Sequence, residues 1–319
     1  MGYIGKKGLV ILYKAESTYG TKATPANPFG EIDDFTAPTE SRSLDTKPQL
    51  GSTAPAYFEE DVQKYTGGQI KVKVLRPEFL VYILGASTDS GAGPYTHTMG
   101  LDSTIASLTI GVSAVDATGA VVTNDYYVGC LFKSVQIDAK KGQPITAIIN
   151  FDCQAVDSDS STALVFATQT GESPMLFSGA SVSVGGTTIN TVTEFTLTLN
   201  RKLDRTDVLN NLVNAYQSIA EFDGKLDLTY AYTQGTEAAY YRGSSAGTQN
   251  TAAPVESIVV TVTNGLATTS LRSWAFTMTT SKFGEFKFAG FGDHRLASLM
   301  AIPLTLSTVC SDNTATWTQ

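Results

Sequence analysis

Ten stretches of this chain alternate apolar with polar residues. They are "GQIKVKVL" (68–75), "ASLTIGVSAV" (106–115), "FKSVQIDA" (132–139) and "TAIINFDCQAV" (146–156), then "ASVSVGG" (180–186), "EFTLTLN" (194–200), "GKLDLTYAY" (224–232), "ESIVVTVTN" (256–264), "SWAFTMTT" (273–280) and "IPLTLSTV" (302–309). A period of two in Val-, Ile-, Thr- and Phe-rich segments specifies strands that bury one face, so the fold is mostly β. Helix is scarce. The best candidate is 76–85, "RPEFLVYILG", with Pro77 and Glu78 at its start and Gly85 as its stop; 235–243, "GTEAAYYRG", is a weaker one.

A phrase recurs. Residues 34–45 read "DFTAPTESRSLD" and 194–204 read "EFTLTLNRKLD", 159 to 160 positions apart in a chain of 319. The order of segments recurs with it. In each half the Arg-x-Leu-Asp strand is followed by a long polar loop (46–67; 205–223) and a strand opening with Gly68 or Gly224. Then come a short helical stretch, a Gly/Ser-rich loop and three more strands. We therefore expect two tandem antiparallel β-sandwich or half-barrel units, each with a short flanking helix. The first spans 1–157 with an N-terminal arm, 158–171 is a linker, and the second spans 172–319.

The composition, 42% hydrophobic and only 16% charged, suits a chain that buries a core and meets a partner on its surface. Both halves are acidic, with 13 Lys+Arg against 18 Asp+Glu in 1–159 and 9 against 12 in 160–319, so no basic patch grips phosphate. Cys130, Cys153 and Cys310 are widely spaced, and none lies in a Cys-x-x-Cys; they read as small buried hydrophobes in a reducing compartment. No apolar run is long enough for a signal core or a membrane span, so the expectation is a soluble, unexported protein without a membrane partner.

Catalytic patterns are missing. The two histidines, His97 and His294, sit in loop-like sequence without metal-ligand spacing, and no nucleophile elbow, phosphate loop or dinucleotide fingerprint occurs. "DSDS" (157–160) begins like a calcium loop but lacks its Gly and Glu. Glu59, Glu60 and Asp61 lie in polar sequence that supplies no desolvation for acid–base work. We expect no enzyme and no cofactor. Arg42 with Asp45 and Arg201 with Asp204 hold equivalent places in the repeat, and each Arg either pairs with its own Asp or contacts a neighbouring copy of the unit.

The opening "YKAESTYGTKATP" (13–25) resembles the Glu-x-x-Tyr-Gly-Thr start of tail tube proteins of long-tailed phages and related viruses. The stretch from "GGQIKVKVLRPEFLVYILGAS" through "GPYTHTMG" to "ASLTIGV" is similar to their strand, helix and strand succession. "YYVGCLFKSVQIDAKKGQPITAIINFDCQAV" (126–156) is similar to the hairpin that follows. The resemblance implies a structural protein of the virion tail, assembled in the host cytoplasm, whose partners are itself and other tail proteins. In that family six β-sandwich folds make a ring, inner hairpins join into a barrel, and stacked rings form a channel for transient, non-specific passage of double-stranded DNA. With two copies per chain, three subunits reach six folds. Four strands per fold at about 4.8 Å each give a barrel ~37 Å across before tilt, wide enough for a duplex.

On this reading the return strand of each hairpin lines the lumen. Asn150, Asp152 and Gln154, and Thr305 and Ser307 in the second copy, are the lumen-facing candidates, giving a polar, weakly acidic wall with a ring of Asp152 charge. Arg42, Asp45, Arg201, Asp204, Glu59, Glu60 and Asp61 are candidates for subunit or ring contacts, with the long loops and residues 1–30 reaching the adjacent ring. Two alternatives stand beside it. One is the inner tube of a contractile tail or injection system; the other is a β-sandwich decoration or binding protein, for which "YAYTQGTEAAYYRG" (230–243) offers exposed aromatics.

Overall fold

The computed structural model describes residues 9–41, 44–48, 55–60, 64–85, 87–115, 121–158, 164, 173–206, 216–231, 241, 255–266, 271–291, 295–303 and 306–312. In chain order its strands are β1 (Leu9–Ala15), β2 (Asn27–Pro28), β3 (Glu31–Thr36), β4 (Thr39–Ser41), β5 (Leu44–Pro48), β6 (Pro55–Glu60) and β7 (Lys64–Lys73). A 3-10 turn, Glu78–Leu80, leads into helix α1 (Val81–Leu84), followed by β8 (Ser87–Ser90), β9 (Tyr95–Gly100), β10 (Leu108–Val115), β11 (Val121–Lys140), β12 (Thr146–Cys153) and β13 (Ala155–Ser158). Then come β14 (Ala180–Val184), β15 (Thr187–Thr188), β16 (Val192–Thr206), β17 (Tyr216–Ala231), β18 (Val255–Thr263), β19 (Ser273–Phe291), β20 (Arg295–Pro303) and β21 (Ser307–Asp312).

The pairs are antiparallel. One continuous sheet has eight strand places, β3 and β4 sharing the first, in the order β3/β4, β7, β12, β11, β16, β17, β20, β19. Two smaller sheets pack against it: β2, β1, β10, β11, β13 from the first half, and β15, β14, β18, β19, β21 from the second, the latter extended by β9 and β8. The long strands β11 and β19 belong to both layers. β11 pairs with β10 over Val121–Cys130 and with β12 over Leu131–Asp138. The alternating residues that face inward, among them Ile70, Ile149, Phe151, Leu108 and Ile110 in one half and Phe195, Leu226, Val260 and Phe276 in the other, join one apolar cluster. Burial of that single face is what the period of two encodes.

The pairing diagram of the first half recurs in the second. β1 with β2, β1 with β10, β10 with β11, β11 with β12, β11 with β13, β12 with β7 and β7 with β3 answer to β14 with β15, β14 with β18, β18 with β19, β19 with β20, β19 with β21, β20 with β17 and β17 with β16. Two register shifts coincide as well. One falls between Ile32 and Asp34 and between Val192 and Glu194; the other falls between Phe132 and Ser134 and between Phe283 and Glu285. The Asp-Phe-Thr and Glu-Phe-Thr of the recurring phrase thus sit at the same place after the same bulge.

Some expectations are revised. The polar stretch 46–67 is no simple loop: β5 and β6 pair there as a two-stranded sheet, and in the second half β16 and β17 continue as a hairpin to Thr206 opposite Tyr216. "IPLTLSTV" breaks into the end of β20 and the start of β21, and 304–305 lie outside the described residues. The helix at 76–85 is a 3-10 turn followed by one α-turn, ended by Gly85 at φ 131°. Of the stretch 235–243 only Tyr241 is described, its ring stacked on Phe286 at 6.3 Å. The boundary segment, 158–171, lies outside the described residues except Ser158 and Leu164.

Candidate functional site

The outer face of the eight-stranded sheet carries the side chains that alternate with the core. Gln69 donates to Asn150 at 2.9 Å and Asn150 to Ser134 at 2.8 Å, so three strands are laced by side-chain amides. Thr196 donates to Asp138 at 2.8 Å, lacing the two halves. Charges here lie beside opposite charges: Lys73 with Glu31 at 2.8 Å, Lys225 with Asp227 at 2.8 Å, Lys287 with Glu285 at 3.4 Å and Lys140 with Glu194 at 3.9 Å. Hydrogen bonding to Glu31 raises the Lys73 pKa. At these pairs the face is polar and locally neutralised. Such partly solvated pairs contribute little to stability and present no field of one sign.

The halves meet at a strand joint. β11 pairs with β16 from Ser134 opposite Asn200 to Lys140 opposite Glu194. Arg201, 5% exposed, reaches across it: its Nε donates to the Ile83 carbonyl and its second terminal nitrogen to the Leu84 carbonyl at 2.7 Å. These carbonyls end α1, where no intrahelical donor remains, so a residue of the second half caps the helix of the first. The guanidinium also lies 5.4 Å from the Phe222 ring. Burial lowers its pKa, against the opposing pull of Asp102. β9 of the first half also pairs with β21 of the second, and His97, fully buried, has Nδ1 2.8 Å from Asp89 Oδ1 and Nε2 3.1 Å from Asp312 Oδ1. The histidine expected in a loop is thus a strand residue that ties β8, β9 and β21 together.

A third cluster explains a motif. Glu16, 8% exposed, accepts from Gly20 N at 2.9 Å and Ser107 Oγ at 2.7 Å through one oxygen, and from Gly129 N at 2.7 Å and Thr109 Oγ1 at 2.8 Å through the other. The Glu and Gly of "ESTYG" are the carboxylate and a donor; the Gly of "YVGC" is another donor, held at φ 65°, which a side chain rarely adopts. A built Cβ on Gly129 would lie 2.7 Å from Gln154 Cβ. Four bonds to one carboxylate satisfy a charge that burial would otherwise penalise. Sequence reasoning noticed the motif without its chemistry; the available signal was an acid directly after an apolar strand with glycine four residues on.

The lumen-facing candidates separate. Asn150 lies on the polar sheet face. Asp152 lies on the side of β12 opposite the core residues Phe151 and Cys153 but is only 5% exposed, accepting from Gly67 N at 3.0 Å and sitting 3.3 Å from Lys133 Nζ. The register against β7 shifts beside it, between Phe151 and Cys153, with the extra residue on β7. Gln154 lies between β12 and β13, near Gly20 and Gly129. Ser307 belongs to β21, in the smaller sheet, opposite Gly100 and Thr277. Thr305 lies outside the described residues. Of the contact candidates, Asp45 on β5 and Glu59 on β6 are opposite one another, Glu60 is opposite Leu44, and exposed Asp204 is opposite Ser218 on the longer hairpin. Arg42 and Asp61 lie outside the described residues, as does His294. Asp157, at the start of "DSDS", pairs with Lys22 at 2.8 Å. Among the described residues no group of three His, Cys, Asp or Glu side chains is placed to hold a metal, and no helix is long and apolar enough to cross a membrane.

The fold is a two-layer antiparallel β architecture whose polar clusters brace strands and the joint between the halves. The chain matches the family model described as phage tail tube protein over residues 7–289, and it belongs to that family. It is therefore a structural component of the virion tail. No curated protein matches it.

Proposed function

We propose that the chain is two copies of one tube unit in tandem, 1–157 and 172–319 joined by 158–171, and that three chains close a ring of six units whose stacked rings form the channel for viral DNA. The recurring pairing diagram, with two coincident register shifts, carries the reading: chance similarity among strands accounts for alternation but not for matching bulges. Each chain contributes eight strands to the continuous sheet. Three chains bring about 24, a barrel ~37 Å across before tilt at about 4.8 Å per strand. The apolar face of that sheet is taken by the core, so the polar face with Gln69, Asn150, Ser134, Asp138 and Asp227 lines the lumen. Locally paired charges there favour sliding of DNA over capture. The two hairpins, β5–β6 and the ends of β16–β17, occupy matching places in the two copies. They are the elements that reach the adjoining ring, with Asp45, Glu59, Glu60 and Asp204 as contacts. Assembly in the host cytoplasm fits three buried free thiols.

Native mass spectrometry and electron microscopy of the purified protein test this. Rings of three chains with six similar lobes are expected; a stable monomer at high concentration, or rings of six chains, overturns the proposal.

A further inference from the structure

Two of the three thiols face one another. β11 keeps a single register against the chain that returns beside it: Asp125 is opposite Ser158 and Val128 opposite Ala155 on β13, and Leu131 is opposite Asp152 on β12. No residue is gained or lost between these pairs, so Gly129 falls opposite Gln154 and Cys130 opposite Cys153. The close approach of Gly129 to Gln154 agrees with that count. The second half has the same opposition at the equivalent place, two residues before the bulge that follows Phe283, where Ser281 is opposite Pro303. Both cysteines are wholly buried and belong to the main apolar cluster, on one face of the sheet. The Cys130 thiol donates to the Tyr127 carbonyl at 3.1 Å. Burial, then a hydrogen bond with the Cys153 thiol, raise the Cys130 pKa. After burial and Asp125, the same two sulfurs are what raises the Tyr127 pKa, so both lie beside that ring.

Directly opposite residues of antiparallel strands have Cα atoms about 4.5 or 5.5 Å apart, and disulfides span roughly 4.4–6.8 Å, so a bond can close here without moving either strand. We propose that Cys130 and Cys153 form an oxidisable dithiol, which a peroxide-class oxidant converts to a disulfide stapling β11 to β12. The staple falls where β11 passes from one layer to the other, since β11 pairs with β10 as far as Cys130 and with β12 from Leu131 onward. The electrons balance. One sulfur, as its thiolate, attacks a peroxide oxygen and becomes a sulfenic acid, releasing one water; the second thiol then displaces the hydroxyl as another water while the sulfur–sulfur bond forms. Two thiols thus give up two electrons to the peroxide. Burial holds the Cys130 thiol protonated, so closure waits on local opening and is slow beside that of an exposed thiol. Closing the segment between the two cysteines restricts the unfolded chain and stabilises the folded one, an effect absent while the medium is reducing. Cys310 faces Trp274 and His97 across its ladders, and the second half has Ser281 and Pro303 at the equivalent place, so the bond belongs to the first half alone.

Purified protein is incubated with hydrogen peroxide, unfolded in urea with iodoacetamide to cap the remaining thiols, digested and read by mass spectrometry. The expected product is a peptide pair joined through Cys130 and Cys153, with Cys310 capped. The urea midpoint is expected to rise on oxidation and to return on reduction with a phosphine. Cys310→Ala keeps both effects, and Cys153→Ala removes both. Should Cys153→Ala fail to fold, the oxidised and reduced forms of the unaltered protein decide by the same two readouts. Three capped thiols after an exposure that consumes glutathione in a parallel tube overturn the proposal. So do a bond through Cys310, a bond between chains, sulfinic acid at Cys130 in place of the bond, or a bond that leaves the midpoint unmoved.

Discussion

Glu16 converts a loop into a fixed corner by accepting four hydrogen bonds from residues 4, 91, 93 and 113 positions away. Removing its carboxylate orphans Gly20 N and Gly129 N together with two hydroxyls. Glu16→Ala is therefore expected to cost about 3 kcal/mol or more in urea unfolding, with Glu16→Gln costing less because the amide still accepts through one oxygen. A loss within the range of surface substitutions would refute this account of the motif. Tyr127 gives the molecule a pH dependence. Burial, then Asp125, Cys153 and Cys130, push its phenol up to about 12. The unfolded phenol ionises near 10, so the unfolded state releases its proton first, and stability complete below about pH 10 is lost as pH climbs toward 12. Tyr127→Phe should flatten that decline in urea midpoints taken across the interval; an unchanged slope would assign it to other groups.

Arg201 shows what a single side chain does between elements. It caps a one-turn helix too short to persist by itself, and it does so from the other half of the chain. Arg201→Ala should cost roughly 2–4 kcal/mol and raise hydrogen exchange at 78–85, since the Ile83 carbonyl loses the guanidinium and the Leu84 carbonyl keeps only Asp102 N. Arg201→Lys should rescue little, because an ammonium cannot serve both carbonyls as the guanidinium fork does. Full rescue by lysine would reduce the contact to simple charge. At this scale the sequence was informative where a strand buries one face, and nearly every alternating run lies in a strand. It was uninformative for β5 and β6, which stand as a separate two-stranded sheet. It did not show that Asp152 is buried, because Gly67 N and Lys133 reach it from other strands. Gly224, which holds the place of Gly68 in the sequence pattern, lies two residues away from its structural counterpart: Gly68 is opposite Phe151, whereas the equivalent partner Ala301 is opposite Leu226. Long-range partners such as Glu16 with Gly129 leave no local pattern at all. The β5–β6 hairpin offers its own test: if it reaches the adjoining ring, shortening it by deletion of 50–58 leaves single rings intact but prevents stacking. Normal polymers from that variant would move the ring-to-ring contact elsewhere.

For the whole molecule the decisive question is which face of the eight-stranded sheet meets DNA. The candidate must be solvated, strand-borne and indifferent to folding, and Asp227 meets these conditions where Asp152 does not. Its side chain is 41% exposed and its partner, Lys225 at 2.8 Å, is 43% exposed, so the pair adds little stability. Asp227→Lys should therefore leave folding and ring assembly within about 0.5 kcal/mol of the parent. In a ring of three chains the change replaces three carboxylates by three ammonium groups and releases three lysines from their partners. If the polar face lines the channel, the passing phosphates meet a band of unpaired positive charge in every ring, and contacts repeat along the tube. Virions carrying Asp227→Lys should then eject DNA more slowly at low salt, with the parental rate recovered as salt rises, because displaced counterions set the strength of such contacts. The charge-neutral Asp227→Asn should fall between the two. An outward-facing sheet predicts ejection that is independent of residue 227 at every salt concentration, and that result would turn the ring inside out.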